Sequence, residues 1–477
     1  MKTMKKIWAL LPVTALLMLS ACGSDSDVTE NVKPEPQNPT GAKQIGFKVR
    51  VDNSTRASIA ADQETLSFAE GDQLLIKGEN ISGLLPMKSG AGSASAVFEG
   101  TLDYTGSGDP SSDLALTATL ISSTNVGVNT TTGAVDYGTA ICSTLEEAVA
   151  KYCLLTGTST FGSGEATFHL EPQTAFLNFT ATLPKGYPDG YDKEPVTVTV
   201  GGTAHTGNAT ISVVGDAAPV ANFVVPVAAS TSLSGATVKV GRFAAVAFGS
   251  GVTTSAKVYN VNKTFASTGS IPDGVNWVQL WDGGPFFADR NVGATSVATS
   301  TATAYGSYFA WGEVSTKENY ATDWSNYEWG TSATNQTKYT STSGDGLTEL
   351  LPEDDAAYWN WGDNCRMATR EEFNKLISTD YTDGFHWEAD YNGVAGWLIR
   401  GRTGTDYENN SIFLPAAGQM EGSSLYKPGS EGYYWSSSLV ETWTRRPWDL
   451  FFDSGRTYVG YSDRCGGHSV RPVRTNL

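Results

Sequence analysis

Twelve of the thirteen tryptophans in this chain fall after residue 276, and residues 44–265 contain none. The thirteenth, Trp8, sits in an apolar N-terminal segment. A break that sharp means that two different cores are joined in one chain. The tryptophan-rich half closes on Gly432-Tyr433-Tyr434-Trp435-Ser436-Ser437-Ser438 and then Ser469-Val470-Arg471-Pro472-Val473-Arg474. Between these two stretches lie aromatic, Arg, Asp and Gly residues of exposed character. The pattern predicts a binding surface carried on a rigid scaffold.

The N-terminus carries Lys2, Lys5 and Lys6, an apolar run from Ile7 to Leu19, and then Leu19-Ser20-Ala21-Cys22. A charged start, a short apolar stretch and a small-residue cleavage site define an export signal. The Cys after Leu-Ser-Ala resembles a bacterial lipobox. The resemblance implies cleavage of residues 1–21 and lipid attachment at Cys22; the other reading is an ordinary secretory signal with a chance Cys. The apolar run is shorter than the ~20 residues a membrane-spanning helix needs. The expected location is therefore the outer membrane and cell surface, or a fimbrium, with the chain held by N-terminal lipid alone. Residues 22–43, rich in Ser, Asp, Asn and Pro, bury too little apolar surface to offset chain entropy and read as a flexible tether. Asp25 and Asp27, close behind the Cys, resemble surface-export signals of some Gram-negative anaerobes.

The formal net charge is −18. Residues 1–21 hold three Lys and no acid, so the mature chain stands at −18 − 3 = −21. An acidic chain without a basic block is a poor partner for nucleic acid or anionic lipid surfaces. Apart from Cys22 there are four cysteines, Cys142, Cys153, Cys365 and Cys465, enough for two disulfides or none. No Cys-x-x-Cys occurs, and His169, His205, His386 and His468 lack metal-ligand spacing, so no metal and no cofactor is expected. Phosphate-loop, Gly-x-Ser-x-Gly and His-Glu-x-x-His signatures are absent. Glu353-Asp354-Asp355 reads as a solvated run of carboxylates in a loop. Asp383 and Glu388 beside His386 read as polar side chains facing solvent, without the spacing of an acid–base pair.

In residues 44–265 short runs alternate with a period of two, at Ile45, Phe47, Val49 and Val51, at Val196, Val198 and Val200, and at Val238 and Val240. With frequent Gly, Asn and Asp turns this predicts antiparallel strands in β-sandwich lobes. One helix is predicted over Ser143–Tyr152, with Ser143 and Glu146 as a capping box. Ile45-Gly46-Phe47, then Thr55-Arg56-Ala57 and Phe68-Ala69-Glu70-Gly71-Asp72, resemble the start of fimbrillin-family proteins. Ala166-Thr167-Phe168-His169-Leu170 leading to Ala175-Phe176-Leu177-Asn178-Phe179 resembles that family's central strand pair. The resemblance implies two β-sandwich lobes, and other pilus subunits as partners. In that family an Arg-specific protease removes the first strand, and the groove left behind accepts a donor strand from the next subunit. Arg56, or less readily Arg50, would be the processing point here; the alternative is an ordinary solvated loop residue. Stalk fimbrillins need a free C-terminal strand to donate, whereas this chain continues past residue 265. That departure favours a tip position or a stand-alone display module.

The second half reads Val275-Asn276-Trp277-Val278-Gln279-Leu280-Trp281, Phe287-Ala288-Asp289-Arg290-Asn291-Val292-Gly293-Ala294 and Tyr308-Phe309-Ala310-Trp311-Gly312-Glu313. It continues with Cys365-Arg366-Met367-Ala368-Thr369-Arg370-Glu371-Glu372-Phe373. Thr369 and Glu372 form a capping box, and Phe373, Leu376 and Ile377 share one helical face. Trp397-Leu398-Ile399 and Ile412-Phe413-Leu414-Pro415 read as core strands. This order of motifs resembles the Fibrobacter succinogenes major paralogous domain, whose fold is of the C-type-lectin and formylglycine-generating-enzyme kind. The resemblance implies an α+β domain over residues 266–477 with Trp277, Trp311, Trp397, Trp435 and Trp448 in its core. The expected architecture is thus multi-domain: all-β lobes over residues 44–265, then an α+β domain.

In the tail, Trp448, Leu450 and Phe452 alternate toward a core. Trp443, Arg445, Arg446, Arg456, Tyr458, Tyr461 and Asp463 are residue types that binding loops favour, because large rings offer contact area at low entropy cost. They are the predicted contacts for a glycan or surface-protein ligand. The polar–aromatic insert closing on Ser-Val-Arg-Pro-Val also resembles retroelement-diversified variable proteins; the alternative is a fixed surface. The enzymatic branch of the fold works at a closely spaced Cys pair. Cys365 and Cys465 stand a hundred residues apart, so no catalytic residue is carried over. The calcium-binding tripeptides of true C-type lectins are missing, and the nearest string, Glu171-Pro172-Gln173, lies in the other half. The expected role is a non-enzymatic adhesin or pilus-tip-like protein. The alternatives are a structural tip or anchor pilin without ligand, and an oxidase-like enzyme.

Overall fold

The computed structural model describes residues 41–52 and 67–476, apart from 123–124, 126, 189, 214–216, 297–300, 342 and 363–364. The export segment, Cys22 and Arg56 lie outside the described residues.

The first lobe is built from β1 (Lys43–Asp52), β2 (Gln73–Gly78), β3 (Ile81–Ser89), β4 (Ser95–Tyr104), β5 (Ala115–Ile121), β6 (Leu155–Thr160), β7 (Glu165–Phe168) and β8 (Glu171–Pro172), with α1 (Leu145–Tyr152) between β5 and β6. Their order in the sheet is β7-β1-β4-β3-β2-β5-β6-β8. The period of two acts as expected: Phe47, Val49 and Val51 are buried, while Lys48 and Arg50 between them are not. β1 is held on both sides. It pairs with β4 antiparallel from Lys43↔Tyr104 to Asp52↔Ser95, and with β7 in parallel from Lys48↔Glu165 to Val51↔Phe168. β6 also touches β7, so the sheet folds round a core in which Phe47 stacks on Phe161 at 5.3 Å.

The cap of α1 sits one residue later than the sequence suggests. Thr144, not Ser143, accepts the Glu147 amide at 3.1 Å, and the Glu147 carboxylate accepts the Ser143 amide at 2.8 Å. Ser143 and Thr144 are both good caps. The register that turns Ala148 into the core decides between them.

The second lobe comprises β9 (Thr174–Thr182), β10 (Lys193–Val200), β11 (Thr203–Ser212), β12 (Val220–Ala228), β13 (Thr237–Val240), β14 (Val246–Ala247) and β15 (Val258–Thr264), in the order β14-β13-β10-β11-β12-β9-β15. Val196, Val198, Val200, Val238 and Val240 are all buried. Phe179 stacks on Phe223 at 4.8 Å and meets Phe248 edge-on at 5.0 Å. The last strand, β15, lies parallel to β9 from Val258↔Phe176 to Thr264↔Thr182.

The C-terminal region mixes short sheets with α2 (Thr301–Ala304), α3 (Ala356–Trp361) and α4 (Arg370–Ile377). Its first and last strands meet in one four-stranded sheet made of Trp277–Gln279, Phe286–Ala288, Pro472–Arg474 and Arg366–Met367. The capping box of α4 is complete, with Thr369 and Glu372 each accepting the other's amide, and Phe373 and Leu376 face inward. Trp311, Trp397 and Trp435 are fully buried; Trp277 and Trp448 are only partly so.

One expectation is overturned. Glu353, Asp354 and Asp355 are not solvated: they are 1%, 0% and 3% exposed. Glu353 accepts the Tyr187 hydroxyl at 2.7 Å. Asp354 takes Lys338 at 2.6 Å, Arg242 at 3.2 Å and the Tyr339 hydroxyl at 2.7 Å. Asp355 caps α3 through the Ala357 and Tyr358 amides and also accepts the Met367 amide at 2.8 Å. A buried carboxylate persists only where it is paired and hydrogen-bonded, and two of these partners, Tyr187 and Arg242, lie more than a hundred residues away. The apolar core of the second lobe is likewise continuous with the C-terminal region: Phe243 and Phe265 belong to one cluster with Trp311, Tyr358 and Trp361.

Candidate ligand-binding surface

Three antiparallel strands, Glu431–Leu439, Pro447–Asp453 and Thr457–Tyr461, carry the predicted contact residues: Trp443, Arg445 and Arg446 on the loop joining the first two, Arg456 in the turn before the last, Tyr458 and Tyr461 on the last, and Asp463 just past it. Leu450 and Phe452 point into a core with Trp397 and Tyr434. Asp449 and Phe451, on the opposite face of the same strand, are buried too. A strand covered on both faces is a stiff base for the loop above it.

Arg464 fastens that loop. Its buried guanidinium donates to the Thr444 carbonyl at 2.9 Å, the Tyr327 hydroxyl at 2.7 Å, and the Lys338 and Tyr339 carbonyls at 2.8 and 3.2 Å. Its backbone amide donates to the Arg445 carbonyl at 3.1 Å. Two turns complete the loop, Trp443 N–H to the Val440 carbonyl at 2.9 Å and Arg446 N–H to the Trp443 carbonyl at 2.7 Å.

On this base stand two rings that the fold leaves in water, Trp443 at 53% and Tyr461 at 40% exposure. Their planes cross at 82° with centroids 5.5 Å apart, forming a corner. Tyr461 also meets Trp448 edge-on at 5.8 Å. The Arg446 guanidinium lies 5.9 Å from the Trp443 ring and 5.5 Å from the Tyr461 ring, within cation–π range. Arg445 and Arg446 both reach the same Asp463 oxygen, through Nε at 3.5 and 3.2 Å.

Five of the seven predicted residues therefore share one cluster. Arg456 and Tyr458 do not join it. They lie at the hairpin end of the last strand, about 10–17 Å from Tyr461 at ~3.3 Å per residue. There Tyr458 packs on Phe451 at 4.9 Å, and Arg456 pairs with Asp453 at 2.9 Å. Burial raises the Tyr458 phenol above its usual range, and the Asp453 hydrogen bond raises Arg456. The sequence reading missed Arg370, whose guanidinium sits 3.7 Å above the Trp448 ring. As the first residue of a capped helix it carries no sequence signal of a role 78 residues away.

Beneath the surface runs a buried polar row. Ser462 donates to Asp449 Oδ2 at 2.5 Å, His468 Nδ1 stands 3.6 Å from that oxygen, and His468 Nε2 meets Gln419 Oε1 at 3.0 Å. His468 stacks on Trp435 at 3.8 Å. Burial pushes Asp449 up to about 7 and His468 down to about 3. The hydroxyl bonds the carboxylate rather than the imidazole, so this is not the order in which His activates a serine nucleophile.

Cys142, Cys153, Cys365 and Cys465 are buried and form no disulfide with one another. Burial raises the Cys465 thiol to about 11, opposite to what a reactive thiolate needs. Among the described residues no group of His, Cys, Asp and Glu is placed to hold a metal ion, and no helix is long and apolar enough to cross a membrane.

No family model and no curated protein matches the chain. Solved structures that superpose on it include a fimbrial protein from Bacteroides ovatus ATCC 8483, at 9% identity and TM-score 0.24, over 91% of this chain and 99% of that one. Another is the fimbrial anchor protein Mfa2 from Porphyromonas gingivalis, at 11% identity and TM-score 0.24, over 41% of this chain and 77% of that one. Superpositions this loose carry no weight for function.

Proposed function

We propose that this chain is a lipid-anchored surface protein of adhesin type. Cys22 is its anchor, residues 44–265 its spacer, and residues 266–477 a C-type-lectin-like module that binds a glycan or protein ligand. The observation that carries the reading is the Trp443–Tyr461 corner. Exposed rings held by a fully buried arginine are costly to keep in water and well formed for contact. The lipobox-like Leu-Ser-Ala-Cys supports anchoring at the cell surface. No activated nucleophile among the described residues favours an enzyme. Full-length chain applied to arrays of glycans and surface proteins tests the reading. Bound ligand should be lost from the Trp443→Ala/Tyr461→Ala variant, and retention would exclude the corner.

A second reading is supported by the position of β1 between β4 and β7. Its removal after a cut at Arg56 would uncover the sites of Phe47, Val49 and Val51 to a donor strand. β15 runs on into a region that shares its core with the second lobe, so the chain would accept a strand and donate none, as a tip subunit does. Size-exclusion chromatography after Arg-specific proteolysis tests this: capture of a partner subunit supports it, and an unchanged monomer removes it.

A further inference from the structure

We infer that the ligand of the Trp443–Tyr461 corner is an acidic saccharide, its anionic group received by Arg445 and Arg446. The inference rests on the binding reading above and adds the chemistry of the ligand. Both guanidinium groups lean on one oxygen of one carboxylate, Asp463, at 3.5 and 3.2 Å. An arginine carries five N–H donors. Among the described residues, no hydrogen bond within the chain uses the terminal nitrogens of either one. One carboxylate can hold one guanidinium in a two-bond fork, so the second has donors to spare without leaving Asp463 unpaired.

The surroundings point the same way. Arg370 adds a third guanidinium over Trp448, which touches Tyr461. Of the acids on the same elements, Glu371 pairs with Lys375, Glu372 with Arg366 and Asp453 with Arg456, and Asp449 is buried, which leaves Asp463 and the exposed Glu441 at the start of the loop. Elsewhere the chain is strongly acidic, at −18 overall. A local excess of cations on such a background attracts an anion only at contact range, because the field of the whole chain opposes it.

The rings decide between an acidic sugar and an acidic peptide. The two rings touch each other edge-on, at 82° with centroids 5.5 Å apart, and the ring surface not used in that contact is open to a ligand, with Trp443 53% and Tyr461 40% exposed. The C–H face of a pyranose is apolar and stacks on an indole, while its hydroxyls reach Asp463 and the guanidinium edges. A run of purely acidic side chains has no comparable flat apolar face to lay on the indole.

The test titrates full-length chain with four probes: maltohexaose, sulfated maltohexaose, hexagalacturonate and hexaglutamate. Binding of hexagalacturonate or sulfated maltohexaose is expected at ≥10-fold higher affinity than maltohexaose, and which of the two binds tells carboxylate from sulfate. Arg445→Gln/Arg446→Gln should lower that affinity ≥10-fold, while Lys257→Gln/Lys263→Gln on β15 should leave it unchanged. Equal binding of maltohexaose, binding of hexaglutamate in place of the saccharides, no binding of either acidic saccharide, or full affinity in the double Arg variant overturns the inference. If Trp443→Ala abolishes maltohexaose binding, the corner is still the site and only the anion is wrong. Undiminished acidic-sugar binding by Trp443→Ala/Tyr461→Ala would instead remove the corner itself.

Discussion

The Tyr187 hydroxyl donates to Glu353 Oε2 at 2.7 Å across 166 residues of sequence, and both residues are buried. The bond ties the second β-lobe to the tryptophan-rich region through a polar knot. Tyr191 donates to buried Glu194 at 2.7 Å, and Arg242 bridges Asp354 and Glu328. Lys338 pairs with both Glu353 and Asp354. Four carboxylates face two cations. Moving the lobe away from the C-terminal region would break the hydrogen bonds and ion pairs that hold Glu353 and Asp354, so these contacts resist bending at the joint.

The knot makes stability depend on pH. Burial, and then the neighbouring Glu353, raise Glu194 from its usual value to about 8. A raised carboxyl holds its proton in the fold at pH values where the unfolded chain has lost it. Its contribution is complete below the unfolded value near 4.5 and is lost as pH rises toward 8. Each pH unit of that interval is worth about 1.4 kcal/mol. Tm should fall between pH 5 and 8.5, by ~2–4 °C per kcal/mol lost. Glu194→Gln should flatten the profile; a wild-type slope in that variant would place the titration elsewhere.

Asp355 accepts three backbone amides at once, at Ala357, Tyr358 and Met367. Asp355→Ala removes the cap of α3 and orphans a buried donor, at a cost on the order of 2–3 kcal/mol. Asp355→Asn should also destabilise, because whichever way its amide turns, at least one backbone N–H would face a donor. Urea denaturation of the three proteins measures the order.

Arg464 supports the corner without belonging to it. Arg464→Met should strip the hydrogen bonds from the Thr444, Lys338 and Tyr339 carbonyls and cost about 3 kcal/mol or more. At a temperature where the variant is still folded, ligand affinity should drop although every contact residue remains. Unchanged affinity would mean that the loop holds its shape without the arginine.

Trp443 is largely solvated, so Trp443→Ala should change unfolding free energy by no more than about 0.5 kcal/mol while abolishing ligand binding. Trp435→Ala, at a fully buried ring, should cost about 3–5 kcal/mol. Chemical denaturation of the pair separates a ring kept for contact from a ring kept for packing.

Local rules carried much of the fold. Period-two valines foretold the strands of both lobes, and Thr369 with Glu372 marked the start of α4, because such signals are complete within a few residues. The α1 cap slipped by one position because Ser143 and Thr144 are locally equivalent, and only the core chooses between them. The corner was legible by residue type. Its membership was not: Arg456 and Tyr458 stand at the far end of their strand, and Arg370 arrives from another element.

By itself the sequence determined where tryptophan enters the core, that the first half is strand-built, and which residue types populate the tail; that the second lobe and the tryptophan-rich region share one apolar cluster came only from the fold. Only the tertiary structure decided that Glu353, Asp354 and Asp355 are buried. Their burial depends on Tyr187, Arg242 and Lys338, and a charge leaves water only when partners from distant segments are already in place.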